Sequence, residues 1–351
     1  MNPGWREAPL VIDGPIKSID GYGNMTENMI LAFDRAGFAV FPGNEWDHND
    51  YSETPERITE IIELRRFNQG VRSGAEVGVR NSQPDSFDIL TTPFRLGFSM
   101  FEFTKMPRSW VPGANTVDVN LVPSTWCKEI WLNGGVRRPV EVLPLGARTD
   151  LYTYVDRPER EIFTFCMAGT LGARKGPSLA WVAFQLAFSR QDDVRLVFKT
   201  PAFLPIKAEG DDRVTVYNED WSLPRMVQVL HQADCFVYPT RSEGFGLSPV
   251  EAMATGLPVI CTGETAMKDY MLPEHSYPLD VEGWEDVPSH WGDIGCYTTP
   301  SRDHLVSLMR HVYENRAEAR AKGRAAADYV RRELSWQRLV DRFIRIVDTH
   351  M

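Results

Sequence analysis

The run Arg241-Ser242-Glu243-Gly244-Phe245-Gly246-Leu247-Ser248-Pro249-Val250-Glu251-Ala252-Met253-Ala254-Thr255-Gly256-Leu257-Pro258-Val259-Ile260 decides the fold. It follows Ala233-Asp234-Cys235-Phe236-Val237-Tyr238, a mostly apolar segment that reads as a buried strand. A glycine-thinned loop comes next. Ser248 is then placed to cap a helix, with Pro249 at its first position. Gly256 and Pro258 stop that helix, and Leu257 to Cys261 reads as the next strand. Strand, glycine loop, helix, strand is the repeating unit of a parallel α/β sheet. The open N–H groups at such a helix start suit a phosphate. Two carboxylates flank that seat, Glu243 in the loop and Glu251 in the first turn of the helix.

Working outward, the same order recurs upstream. Ile162 to Ala168 reads as a buried strand, followed by Gly169-Thr170-Leu171-Gly172-Ala173-Arg174-Lys175-Gly176, and Pro177 opens an apolar helix. Strands are expected over 194–199 and 214–217, and a helix over 223–232. The first half opens in the same way. Pro9 to Asp13 is a strand, Gly21-Tyr22-Gly23 lies in a loop, Met25 to Ala36 is a helix and Phe38 to Phe41 a second strand. These glycines do not spell the dinucleotide fingerprint, so a plain turn and a binding loop both remain open. A helix over 55–67 and short strands over 75–80, 87–90, 96–101, 116–123 and 140–145 follow, with Glu102 just past one strand end and Ser124 capping a helix to Asn133. From 146 to 160 the pattern lapses into mixed charge and proline, which marks a domain boundary. After Gly263 the chain turns irregular through Tyr297. It ends in helices over 304–315, 317–333 and 335–347, the middle one read as solvated because it is rich in alanine and charge. Two doubly wound domains are expected, 1–150 and 151–334, with a terminal helix at 335–351 packed on the first, and a cleft between the two sheets.

Bulk composition narrows the function. The net charge of −10 argues against a general polyanion binder, although Arg65, Arg66, Arg72 and Arg80 could gather locally. No apolar run reaches membrane-spanning length. The N-terminus lacks the apolar core of a signal peptide. The five cysteines are dispersed with no Cys-x-x-Cys, which fits a reducing, cytoplasmic setting.

The chemistry lies in the second half. Arg174 and Lys175, beside a helix start, suit a diphosphate, because cations neutralise charge growing on a leaving group. Glu251 can accept paired hydrogen bonds from a ribose diol, and Glu243 from sugar hydroxyls. Each group also has a plainer reading. Ser248-x-x-Glu251 is a complete capping box, Glu243 could be a solvated loop residue, and Arg174-Lys175 an exposed basic pair. Their conjunction favours a nucleotide-sugar site.

The chain here resembles the retaining GT-B glycosyltransferases, specifically glycosyltransferase family 4. Glu243-Gly244-Phe245-Gly246-Leu247-x-x-x-Glu251 resembles that family's E-x7-E motif, and Glu251-Ala252-Met253-Ala254-x-Gly256-x-Pro258-Val259-Ile260 continues it. Gly169-Thr170-x-x-x-Arg174-Lys175-Gly176 resembles its phosphate-binding loop. Weaker matches run through Gly14-Pro15, Gly21-Tyr22-Gly23, Phe101-Glu102 and Val142-Leu143-Pro144-Leu145-Gly146. The resemblance implies a GT-B fold of two Rossmann-like domains, the first for the acceptor and the second for the donor. It implies transfer of a hexose-type sugar from a UDP or GDP sugar to a hydroxyl acceptor, with retention of configuration and no cofactor or metal. Arg174 and Lys175 would neutralise the diphosphate. Glu243, with the Phe245 and Gly246 amides, would hold the sugar. The Leu247 and Ser248 amides would meet the phosphates and Glu251 the ribose. Gly21 and Gly23 would let the first loop approach the donor or acceptor, and Gly169, Thr170 and Gly244 would belong to the donor-binding set. Two departures stand out. Many relatives have arginine where this chain has Thr170, and a histidine where the nearest polar candidate is Glu102. Rival readings are transfer to a hydroxylated nucleic-acid base, a nucleotide-sugar epimerase on the same fold, and a binding module without turnover.

Overall fold

A computed structural model describes residues 3–16, 21–47, 60–61, 74–207, 210–288 and 292–351. Most of the helix expected over 55–67, together with Arg65, Arg66 and Arg72, lies outside the described residues. The chain forms two units. The first comprises Met1–Gly146, Pro288–Ile294 and Ser335–Met351, and the second Ala147–Val287 and Gly295–Leu334.

In the first unit β1 (Leu10–Ile16) leads into α1 (Gly21–Arg35) and β2 (Val40–Asp47). Then come β3 (Val77–Asn81), β4 (Phe94–Phe98), α2 (Trp110–Ala114), β5 (Val119–Val122), α3 (Thr125–Asn133) and β6 (Val140–Val142). The six strands form one parallel sheet in the order β2-β1-β3-β4-β5-β6. Strands β3 and β5 are buried along their whole length, as a parallel sheet covered on both faces requires. Ser124 caps α3 as expected, its Oγ accepting from the Cys127 amide at 3.2 Å.

Two expectations fail in this unit. Residues 87–90 are not a strand. Pro84–Ile89 is a 3-10 turn opened by its proline, burying Phe87 while Ile89 stays exposed. The glycines Gly21 and Gly23 are not in a loop either, since α1 begins at Gly21 and both occupy its first turn.

The second unit repeats the scheme. β7 (Phe163–Ala168), α4 (Pro177–Ala187), β8 (Val194–Thr200), β9 (Val214–Asn218), α5 (Leu223–Gln232), β10 (Cys235–Tyr238), α6 (Leu247–Ala254), β11 (Val259–Thr262) and β12 (Tyr277–Leu279) follow in order. Their parallel sheet runs β12-β11-β10-β7-β8-β9. The region expected to be irregular contains β12 and an antiparallel ribbon, β13 (Val281–Asp286) with β14 (Cys296–Pro300).

The chain closes with α7 (Arg302–Glu314), α8 (Arg316–Glu333) and α9 (Trp336–His350). Helix α8 is not merely solvated. It buries Ala319, Gly323, Ala326, Ala327 and Val330. A Cβ on Gly323 would lie 2.1 Å from the Gly256 carbonyl oxygen, so the helix approaches backbone to backbone. Helix α9 belongs to the first unit. It seats Leu339, Val340, Phe343 and Val347 against α1, and the Phe343 ring meets Phe33 edge-on at 4.9 Å. The Trp5 indole donates to Asp348 at 3.0 Å and ties the first turn of the chain to the last helix.

Among the described residues, no helix is long and apolar enough to cross a membrane.

Candidate active site

The carboxyl ends of the second unit's strands carry the groups singled out above. Strand β10 ends at Tyr238, and the loop after it folds back so that Glu243 is 4% exposed. A carboxylate is costly to bury unless cations and donors meet it. Lys175 Nζ hydrogen-bonds Oε1, and Arg174 sits 3.3 Å from Oε2. The Tyr238 hydroxyl donates to Oε1 at 3.0 Å and the Thr240 hydroxyl at 3.1 Å. Burial pushes the Glu243 pKa up, but Lys175, Arg174 and these hydrogen bonds overcome it and hold the group at about 2. The side chain is therefore a fixed anion, and the reading of Glu243 as a solvated loop residue is excluded. So is the exposed basic pair, since both cations are committed to this site.

The backbone of Glu243 is clamped as well. Its amide donates to Thr265 Oγ1 at 3.2 Å, and its carbonyl accepts from Ala266 at 3.4 Å. Thr265 holds φ at 61°, a region that β-branched residues rarely enter.

Helix α6 starts two residues earlier than expected, with Gly246 as its cap at φ 91° and Leu247 as its first residue. A left-handed glycine turns the chain into the helix without any side-chain cap. Ser248 is thus not the cap, and the capping box does not form. Glu251 is free of that duty, and the Tyr152 hydroxyl faces it instead. Although Glu251 keeps some surface, its carboxyl is enclosed by protein. Burial raises its pKa to about 7, and a hydrogen bond from Tyr152 offsets only part of the rise.

The two glycine loops meet. A Cβ on Gly169 would lie 2.9 Å from Ser248 Oγ. Gly169 donates its amide to the Lys199 carbonyl at 3.1 Å, while Thr170 is exposed. Gly244 and Phe245 are buried, and the Tyr270 hydroxyl donates to the carbonyls of Phe245 and Gly246. Arg174, Lys175, Gly169, Thr170, Glu243 to Ser248 and Glu251 thus gather at one sheet edge.

Arg241, just ahead of the loop, turns the other way. It pairs with Glu285 at 2.6 Å and lies 3.7 Å over the Tyr297 ring, on the β13–β14 ribbon. Residues missed by the sequence reading are Tyr238, Thr240 and Thr265. Their only sequence trace was nearness to a strand end.

In the first unit, Glu102 lies in the loop after β4. Tyr22, from the first turn of α1, reaches the same edge and pairs with Ser99 at 2.8 Å. Burial raises the phenol's pKa well above its usual range. Arg80 is fully buried and pairs with Asp13 at 2.5 Å, so it cannot contribute to a nucleic-acid surface.

The folds and the site define a class. The two six-stranded parallel α/β units are a GT-B fold. The chain matches Anabaena HepE, solved with UDP-glucose, with a TM-score of 0.68 at 12% identity over 97% of this chain and 99% of that one. It also matches sucrose-phosphate synthase of Thermosynechococcus elongatus, with a TM-score of 0.63 at 15% identity over 97% and 98% of the two chains. Within the fold, residues 156–276 match the family model of glycosyl transferases group 1, the stretch that contains both glycine loops. The D-inositol 3-phosphate glycosyltransferase of Arthrobacter sp. (strain FB24) is 26% identical over 217 residues, or 57% of this chain and 47% of that protein. The chain thus spans about half the length of that curated relative.

Proposed function

We propose that this protein is a retaining, metal-independent glycosyltransferase of the family 4 kind, transferring a hexose-type sugar from a nucleoside-diphosphate sugar to a hydroxyl acceptor. The second unit binds the donor and the first recognises the acceptor. The observation that carries this reading is the buried Glu243 anion locked between Lys175 and Arg174 beside the start of α6. That set supplies positive charge for a diphosphate and an acceptor of hydrogen bonds for sugar hydroxyls, within one loop cluster.

The reaction follows from those groups. The bond between the anomeric carbon and the β-phosphate oxygen breaks, and its electron pair stays on the phosphate. Arg174, Lys175 and the amides at the start of α6 stabilise that charge. The acceptor oxygen bonds to the anomeric carbon on the face the phosphate leaves, and its proton passes to the departing phosphate oxygen. No strong protein base is required. Binding by relatives supports the donor class, since the structural neighbour HepE holds UDP-glucose. UDP or GDP is the expected nucleotide. A cytoplasmic setting is part of the same proposal.

The test is a panel of UDP, GDP and ADP sugars, read by thermal shift and by release of nucleoside diphosphate. A bound donor at a hundredfold excess over its Kd stabilises the fold by about 2.7 kcal/mol. One donor should stabilise the protein and be turned over, and Glu243→Gln should abolish turnover. Absence of stabilisation and of sugar transfer or hydrolysis with every donor would overturn the reading.

A further inference from the structure

Arg241 stands two positions ahead of Glu243, yet its side chain is committed to the β13–β14 ribbon. Its Nε donates to the Thr298 carbonyl at 3.1 Å, its Nη2 pairs with Glu285 at 2.6 Å, and its Cζ lies 3.7 Å from the centre of the Tyr297 ring. The Thr299 hydroxyl holds the other oxygen of Glu285 at 2.8 Å. The hydrogen bonds from Arg241 and Thr299 keep the Glu285 carboxyl below its usual pKa range. The main chain is clamped at the same place. The Arg241 carbonyl accepts from the Thr298 amide at 2.8 Å and from the Thr298 hydroxyl at 2.6 Å, and Thr298 is fully buried.

The amide of Arg241 faces the opposite way, toward the donor loops. It donates to the Arg174 carbonyl at 2.8 Å, and the Thr240 hydroxyl reaches the same oxygen at 3.4 Å. Arg174 in turn donates to the Ser242 carbonyl and stands 3.3 Å from Glu243. The two loops also touch backbone to backbone, since a Cβ on Gly176 would lie 2.3 Å from the Pro239 carbonyl oxygen. Packed segments of this kind transmit a displacement instead of absorbing it. The contacts therefore run from the ribbon to Arg241, from Arg241 to Arg174, and from Arg174 to Glu243. The Arg241–Glu285 pair adds little stability by itself, because Glu285 is 53% exposed at the side chain. Its geometric effect is larger, because it fixes the residue that holds the Arg174 main chain.

We propose that Arg241 is a positioning residue: anchored on the ribbon, it sets the place of Arg174, and the β13–β14 ribbon thereby takes part in binding the donor diphosphate. The inference rests on the donor-site reading above. It gives Arg241 no contact with the donor. The value of a cation to a diphosphate depends on its placement, because charge-assisted hydrogen bonds are short and directional.

The experiment is a double-mutant cycle on nucleotide affinity. UDP, GDP and ADP are titrated, up to millimolar concentration, into the wild type, Arg241→Ala, Arg174→Met and the double variant, each shown to be folded by its melting curve. For the nucleotide that the wild type binds best, Arg174→Met should weaken binding about tenfold and Arg241→Ala about fivefold. In the Arg174→Met background, Arg241→Ala should change affinity by less than about twofold, because the group it acts through is gone. A residue that merely supports the fold would show its full effect in both backgrounds. Should Arg241→Ala not fold, Glu285→Gln combined with Tyr297→Leu removes the anchors of the guanidinium and leaves Arg241 in place. That variant should weaken binding in the same Arg174-dependent way. Unchanged affinity in Arg241→Ala beside weakened affinity in Arg174→Met would overturn the proposal and leave the donor site standing. Equal losses in the two backgrounds would overturn it too, as would an Arg174→Met that binds as tightly as the wild type. A wild type that binds none of the three nucleotides would overturn the donor-site reading and this proposal together.

Discussion

Each sheet buries a carboxylate against a cation near its carboxyl edge, and the two arrangements differ. In the first unit, Asp13 and Arg80 are 4% and 0% exposed at the side chain, a buried ion pair. In the second, Glu243 is enclosed but its cations are not, with Lys175 and Arg174 keeping 18% and 26% of their side-chain surface. Among the described residues two cations face that one carboxylate. A closed pair holds strands together. An open, cation-rich one can also hold a diphosphate. The same chemistry of burial thus serves architecture at one edge and binding at the other.

The comparison can be broken by removing one cation from each. Arg80→Met should cost stability most, about 3–5 kcal/mol, because Asp13 is left charged and buried. Denaturant unfolding measures it, and a loss below about 1 kcal/mol would contradict the closed-pair account. Lys175→Met should do the opposite, lowering turnover by about 10²–10³-fold while the fold keeps most of its stability, since Arg174, Tyr238 and Thr240 still meet Glu243. Steady-state kinetics beside a melting curve separates the two effects.

The two acids of the motif sharpen the contrast through pH. Glu243, held at about 2, ionises more readily in the folded chain than in the unfolded one. Its stabilisation is complete above about pH 4.5 and is lost as the pH falls toward 2. Glu251 runs the other way. With a folded pKa of about 7, it binds its proton more tightly when folded, so its contribution falls as the pH rises from about 4.5 to 7. If ribose hydroxyls donate to the ionised form, donor affinity should rise several-fold between pH 6 and 8. Glu251→Gln should flatten that profile. A profile unchanged by the substitution would remove Glu251 from the donor site.

The smallest expected effect concerns the clamp on Glu243. Thr265→Gly should relieve a strained φ, a gain of about 1 kcal/mol that the lost hydroxyl partly offsets, so the melting temperature should move little. Thr265→Ser keeps the hydroxyl, and its kcat should stay nearer the wild type than that of the glycine variant.

Much of this was legible beforehand. The strands from Cys235 to Tyr238 and from Val259 to Thr262 are buried runs bounded by glycine and proline, and they sit where the apolar pattern placed them. What escaped was non-local or cryptic. The partner of Asp13 is 67 residues away. The start of α6 was misread because serine and glutamate fit a capping box, whereas the left-handed Gly246 makes the turn by itself. The ribbon at 281–300 was missed because its strands are short, β13 largely exposed and β14 half-buried, leaving no clear apolar alternation to see. Helix α8 read as solvated because its buried face consists of alanine and glycine, which carry little hydrophobic signature but permit the contact of Gly323 with Gly256.

The central claim is that the cation-rich cluster around Glu243 is a nucleotide-sugar site. The most direct measurement is titration of UDP and GDP sugars into the wild type and into Lys175→Met, with folding checked by melting. The account predicts saturable binding to the wild type that weakens at least tenfold in a folded Lys175→Met. Binding that is absent from the wild type, or equally tight in the variant, would contradict it.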